Sequence, residues 1–273
     1  MTAAGHWDRH AAQWSLVGQP LRPGPDDIRL FKHLARTLGG PDDGLGHLLL
    51  GVTPEIVAMR WPDHARLIAV DRSPVMIAAL WRPPSAPKSA WAVQGDWATL
   101  PLPSGSMRLV LADGALNMCE GRAGWHSVAQ ELARVLKPSG HGIMRIFVRP
   151  EEAEPCEAVF RDLHAGKVPN PHIFKWRLAM ALHGDMEQGV RLADVWDACS
   201  SAIADPGDLA ARLGWSEAEL RTIDVYRDVA TRYTFPKESE LADLLRPGFR
   251  ILHTHRLSYA LGERCPVLVL DAT

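Results

Sequence analysis

The chain has 273 residues, 47% hydrophobic and 23% charged, an ordinary balance for a globular protein large enough to bury a core without disulfide or metal staples. Lysine and arginine number 30 against 32 aspartates and glutamates, and the net charge of −2 argues against a domain whose main task is to neutralise nucleic-acid phosphates. The four cysteines (Cys119, Cys156, Cys199 and Cys265) form no CxxC pair, no leader pattern opens the chain, and no apolar run nears the roughly 18 residues of a membrane span, so a cytoplasmic protein is expected.

Residues 1–25 read as an aromatic arm carrying Trp7 and Trp14. Asp26–Leu38 places Ile28, Phe31, Leu34, Ala35 and Leu38 on one face and predicts a helix. His47–Gly51 (HLLLG) predicts a buried strand and Pro54–Met59 a helix. Leu67–Asp71 (LIAVD) predicts a second strand, followed by a helix over Val75–Leu80 that Pro83-Pro84 stops. Short strands are predicted over Ala90–Gln94 and Leu109–Ala112. An amphipathic helix follows over Trp125–Leu136, ended by Pro138-Ser-Gly140, and then a fifth strand over Gly142–Val148. Strands alternating with helices predict βαβ units and a parallel, doubly wound sheet.

The pattern changes over 151–246. Helices are predicted over Glu157–His164, Phe174–Gly184, Val190–Cys199, Asp208–Leu213 and Ser216–Asp228, the last with a Ser216/Glu219 capping box. Two β-rich segments, Phe249–Ala260 and Pro266–Leu270, flank Gly262-Glu-Arg and predict a terminal antiparallel hairpin. The expected architecture is an α/β domain built from 26–150 and 247–273, with a helical insertion over 151–246 acting as a lid or substrate region.

Open parallel sheets bind ligands beyond the carboxyl ends of their strands, near the switch point. After the first strand, Gly51 allows close backbone approach, Thr53 suits an N-cap, Pro54 a first turn, and Glu55 a helix N-terminus. An ordinary strand-to-helix turn has the same make-up. Asp71 ends the second strand, where a carboxylate accepts ribose hydroxyls or caps the Ser73-Pro74 turn. Asp96 and Trp97 follow the third strand and offer an acceptor for an exocyclic amine beside a flat apolar face, or a turn with a core tryptophan. Asp113-Gly114 ends the fourth strand near the sheet centre, where a reaction would occur, and is equally a common turn pair.

Together the segments HLLLGVTPE, LIAVDRSPVMI, VQGDWATLPLPSGSMRLVLADGAL and ELARVLKPSGHGIMRIF make residues 45–149 resemble the class I S-adenosylmethionine-dependent methyltransferases, including a DxSxxM phrase at Asp71, Ser73 and Met76. The resemblance implies a seven-stranded, mostly parallel Rossmann-like fold whose last two strands are the terminal hairpin. It implies S-adenosylmethionine as cofactor, with its methionine part over Gly51 and its ribose on Asp71. The adenine would lie between Met76 and Trp97, with its amine on Asp96. Val52, Thr53, Arg72, Asp113 and Gly114 complete the implied contact set. The phrase Trp7-Asp8…Ala11…Trp14 is similar to an aromatic N-terminal motif of these enzymes, which implies that Trp14 faces the sulfonium; Trp14 as plain core fits equally. Arg22 is a candidate partner for the cofactor's carboxylate.

The first loop departs from that family: Leu49 stands at the acidic position and only Gly51 remains of GxGxG. Glu55 or Thr53 is then the candidate acceptor for the cofactor's ammonium. Methyl transfer needs a nucleophile placed more than it needs acid–base help. Asp113, Asn117, Arg145, His172 and Tyr226 are candidate placing groups, each with a turn, surface or core role as its alternative, so no catalytic residue is singled out. The insertion, with Phe174, Trp176, Trp196, Trp215 and Tyr226, suits a small apolar or aromatic acceptor, and equally a helical core or a dimer contact. The altered loop favours one alternative, a non-catalytic S-adenosylmethionine-binding protein. A nicotinamide dehydrogenase is disfavoured by GVTPEI in place of GxGxxG, and nucleic-acid methylation by the net charge and by ADGALN after the fourth strand.

Overall fold

The computed structural model describes residues 3–40, 45–61, 65–81 and 89–273; Pro83-Pro84 lies outside them. The arm forms α1 (Ala3–Ala12) and a 3-10 turn over Trp14–Leu16. In α2 (Pro25–Leu38), proline sits in the first turn and Asp27 Oδ2 accepts the Gly24 N–H at 2.8 Å. Strands and helices then alternate: β1 (Gly46–Leu50), α3 (Pro54–Val57), β2 (Arg66–Asp71), α4 (Pro74–Leu80), β3 (Ser89–Gln94), β4 (Met107–Asp113), α5 (Gly121–Val135) and β5 (Leu136–Arg145). A helical stretch follows, with α6 (Cys156–His164), α7 (Pro171–Leu182), a short β6 (Val190–Arg191), α8 (Leu192–Ala202), α9 (Pro206–Leu213), α10 (Glu217–Leu220), β7 (Arg232–Tyr233) and α11 (Leu241–Leu245). The chain returns to the sheet through β8 (Phe249–His255) and β9 (Val267–Ala272).

The seven-stranded sheet has the order β3-β2-β1-β4-β5-β9-β8. Its first five strands are parallel, β9 is antiparallel to β5, and β8 is antiparallel to β9. The order reverses direction between β1 and β4, which puts the ligand crevice of such a sheet above these two strands. β1 is buried from end to end: Leu48 and Leu50 enter the core on one face and Leu49 the core on the other. α5 and α11 cover the first face through Trp125, Leu132 and Leu244, and α2, α3 and α4 cover the second through Phe31, Ile56 and Met76. A third core, containing Phe174, Leu178, Leu192, Leu209 and Tyr226, joins the helices after β5, and Phe147 belongs to it.

The sheet, its terminal antiparallel pair and the helical stretch match the expected architecture, while several boundaries differ. β5 starts at Leu136, because Ser139 takes φ +59° and the register against β4 shifts, so Pro138-Ser-Gly140 becomes a bulge inside the strand instead of a turn before it. Ser216–Asp228 is not one helix. Ser216 Oγ accepts the Glu219 N–H at 3.3 Å, but α10 ends at Leu220 and a 3-10 turn covers Arg221–Tyr226. Thr222, Ile223 and Val225 crowd β-branched side chains there, and Asp228 takes φ +59°. Val190 and Arg191 pair with Tyr233 and Arg232 before α8 begins. Among the described residues no helix is long and apolar enough to cross a membrane.

Candidate active site

The carboxyl ends of β1, β2 and β3 carry the predicted cofactor residues. Gly51 adopts φ +80° and donates its N–H to the Val70 carbonyl at 2.8 Å. A Cβ placed on it would meet only Asp71 Oδ2, at 3.7 Å, so this face of the backbone is open. Asp71 Oδ1 accepts the Ser73 N–H at 2.8 Å, and Ser73 Oγ accepts the Met76 N–H at 3.2 Å, which starts α4. The turn-capping reading of Asp71 is met by Oδ1, while Oδ2 faces the open side of Gly51. Burial raises the Asp71 carboxyl, opposed by the Ser73 N–H and the Arg72 charge.

Asp96 uses both oxygens within the chain, Oδ1 on the Ala98 N–H at 3.0 Å and Oδ2 on Arg72 at 2.7 Å. The Ala98 N–H, with help from Arg72, holds its carboxyl below the ordinary range. Trp97 donates Nε1–H to the Val70 carbonyl at 2.7 Å. It packs on the core of one sheet face, whereas Met76 is buried in the core of the other. Met76 contributes to α4 packing.

At the ends of β4 and β5 a buried polar node replaces the open chemistry expected there. Arg145 Nε donates to Asp113 Oδ1 at 2.5 Å, and Arg145 Nη1 lies 3.5 Å from Asp27 Oδ2 and 3.2 Å from the Tyr259 hydroxyl. Tyr259 donates to Asp27 Oδ1 at 3.0 Å, and Gln19 donates to Asp27 Oδ2 at 3.1 Å. Burial raises the Asp113 carboxyl against the pull of Arg145. Burial alone would lower Arg145, but Asp113 and Asp27 outweigh it and hold the guanidinium well above its ordinary value. Gly114 takes φ +64°, and a Cβ there would lie 2.5 Å from the Phe147 ring. Asn117 donates to the Phe147 and Thr234 carbonyls and accepts the Phe147 N–H, at 2.8, 2.7 and 2.9 Å. With every amide function so engaged, Asn117 is a staple between β5 and β7; it is not a placing group.

The arm closes over these strand ends. Arg22 grips Glu55 Oε1 with two N–H groups, donates to the Trp14 carbonyl at 3.0 Å, and sits 5.2 Å from the Trp14 ring centroid. The cation on this face of Trp14 is thus Arg22. Glu55 Oε2 and Trp14 Nε1 are buried without hydrogen-bond partners. α1 packs on α4 and on the Arg221–Tyr226 turn, where Arg9 donates to the Val225 carbonyl at 3.0 Å. His172 and Tyr226 lie under this cover and are almost fully buried. A cavity of about 140 Å³ lined by Lys32, Arg36, His47, Arg60 and Trp61 lies at the opposite, amino end of β1, away from every residue named above. Sequence reasoning missed Asp27 and Tyr259, whose link to Arg145 spans 118 and 114 positions and leaves no local pattern.

Residues 48–144 match the family model described as methyltransferase domain. The fold resembles the CcbJ methyltransferase from Streptomyces caelestis, with a TM-score of 0.60 and 15% identity over 100% of both chains. It resembles equally, with a TM-score of 0.60 and 13% identity over 100% of both chains, a Rhodobacter sphaeroides protein provisionally named a Zn-dependent alcohol dehydrogenase. A third likeness is a Haloferax volcanii protein, provisionally named a methyltransferase, in complex with a methyltransferase activator. Here the TM-score is 0.52 and the identity 14%, over 97% of this chain and 96% of that one. No curated protein matches the sequence. At these identities the solved structures speak for the fold alone. Among the described residues no group of three or more His, Cys, Asp or Glu is placed to hold a metal ion.

Proposed function

From a methyltransferase domain over residues 48–144 in the class I, S-adenosylmethionine-dependent fold, we propose that the chain transfers a methyl group from S-adenosylmethionine to a small organic molecule. The observation that carries this reading is the open face of Gly51 with Asp71 Oδ2 turned toward it across adjacent strand ends. Asp71 is the residue we assign to the ribose. Arg22 and Glu55 supply opposite charges at the turn after β1, and the orphaned Glu55 Oε2 suits an ammonium while Arg22 suits a carboxylate. They take the place of the missing acidic residue and glycines. Trp97 offers one wall for the adenine, and Arg72 can swing from Asp96 because it is exposed.

When bound, S-adenosylmethionine supplies a sulfonium methyl that an acceptor nucleophile displaces in line. The chain's contribution is then placement and exclusion of water. Residues 26–150 with 247–273 form the cofactor domain in this reading, residues 1–25 the arm, and residues 151–246 the lid. A small acceptor is favoured because α1 packs on α4 and on the Arg221–Tyr226 turn, covering the strand ends on that side. Thermal unfolding tests the reading. S-adenosylhomocysteine is expected to raise the Tm in proportion to the logarithm of its concentration, and NAD to leave it unchanged. A shift with NAD alone contradicts the proposal.

A further inference from the structure

Arm and lid together bury a positive charge that has no counter-charge. Lys175, in the middle of α7, is 2% exposed, yet its hydrogen-bond partner is the Thr222 hydroxyl at 3.0 Å, and no ion pair reaches it among the described residues. Its ammonium lies 5.2 Å from the Tyr226 ring centroid. One turn earlier on α7, His172 is equally buried and has no hydrogen-bond partner on either ring nitrogen, the Leu16 backbone lying near but short of bonding geometry. From the arm, His6 adds an unpartnered Nε2, and its ring lies tilted against Tyr226 with centroids 5.9 Å apart. Burial draws Lys175 down to about 7, with the Cys199 thiol of α8 pulling weakly the other way. Burial draws His172 and His6 down to about 4 and His10 to about 3, and the Lys175 charge adds to each of the three shifts, so the four groups share one electrostatic neighbourhood. Orphaned imidazoles around an unpaired buried ammonium oppose folding. A fold that keeps them has a use for them.

The cluster adjoins the cofactor turn. His6 meets His10 at 5.9 Å, His10 meets Trp14 edge-on at 5.9 Å, and Trp14 carries the Arg22 that holds Glu55. On the other side His172 lies under Gly18, where a Cβ would come within 3.0 Å of its ring. We propose that this cluster is the acceptor subsite and that the acceptor is a small aromatic carboxylate, its anionic group taken by Lys175 and His172 and its ring by Tyr226. One ammonium flanked by neutral imidazoles matches a single negative charge; a phosphate dianion would leave charge over. This rests on the methyltransferase reading.

The test is calorimetric titration of the full chain, saturated with S-adenosylhomocysteine, with benzoate, cinnamate and indole-acetate, each beside its amide. At least one carboxylate is expected to bind about tenfold or more tighter than its amide. Lys175→Met is expected to weaken that carboxylate by about tenfold or more, to leave S-adenosylhomocysteine affinity unchanged, and to raise the Tm, because it removes an uncompensated charge. Carboxylates that bind no better than their amides, an affinity that Lys175→Met does not change, or a lower Tm in that variant overturns the proposal. If S-adenosylhomocysteine itself fails to bind the wild type, the cofactor reading falls instead, and the carboxylate–amide comparison without it decides the anion subsite alone.

Discussion

Arg145 shows how one side chain is fixed by partners that the local sequence does not announce. It is fully buried between Asp113 and Asp27, with Tyr259 bridging to the second carboxylate. Removing Asp113 takes away the shorter ion pair and leaves Arg145 only the 3.5 Å contact with Asp27, so Asp113→Ala is expected to cost roughly 3–5 kcal/mol in urea denaturation, and Asp113→Asn less. Were Asp113 a dispensable catalytic group, the alanine variant would keep its stability and lose only turnover. Asn117→Ala, which unpairs three backbone groups, is expected to cost about 1–3 kcal/mol in the same assay. The turn cap at Asp71 was legible from the sequence because an acidic residue two positions before Ser73-Pro74 is a local pattern. The burial of Met76 was not legible, because a motif phrase fixes its spacing whereas the face it occupies follows from how α4 packs.

At the scale of elements, the two ends of β4 depend on backbone that only glycine adopts easily. Gly105 and Gly114 have nearly the same φ, +65° and +64°, but a Cβ on Gly105 meets nothing within 4 Å while one on Gly114 strikes Phe147. Gly105→Ala is expected to cost about 1 kcal/mol and Gly114→Ala about 3 kcal/mol, the difference measuring the packing of Phe147 against the β4 turn. Equal losses in urea denaturation would show that Phe147 moves aside freely. The alternation of strands and helices was readable, since buried parallel strands are short continuous apolar runs. The start of β5 was not, because Pro138-Ser-Gly140 reads as a turn until its pairing with β4 is known. Nor was the break after α10, because Thr222 and Val225 are tolerated in helices elsewhere.

At the scale of the molecule, the arm and the helices over 151–246 bury histidines that acid should charge. Burial holds His6, His172 and His183 down to about 4 and His10 to about 3. Between pH 6.5 and about 4 the unfolded chain binds protons that the native histidines refuse, so stability falls as pH drops through that window. Asp71 and Asp113, whose carboxyls burial raises, act in the opposite sense, but they are two against five histidines, since burial lowers His255 as well. The Tm is expected to decline across this range, and His10→Asn to flatten the decline; a Tm independent of pH from 6.5 to 4 contradicts the buried arm. Lys175 works at higher pH: with its ammonium drawn down to about 7, stability rises from there toward 10.5 as the unfolded chain gives up the same proton. The central claim is that the strand ends hold S-adenosylmethionine through Asp71. Calorimetric titration of S-adenosylhomocysteine into wild type and Asp71→Ala tests it most directly. Saturable binding weakened roughly ten- to a hundredfold by the substitution is the predicted result, and unchanged affinity in a folded Asp71→Ala protein is the result that contradicts it.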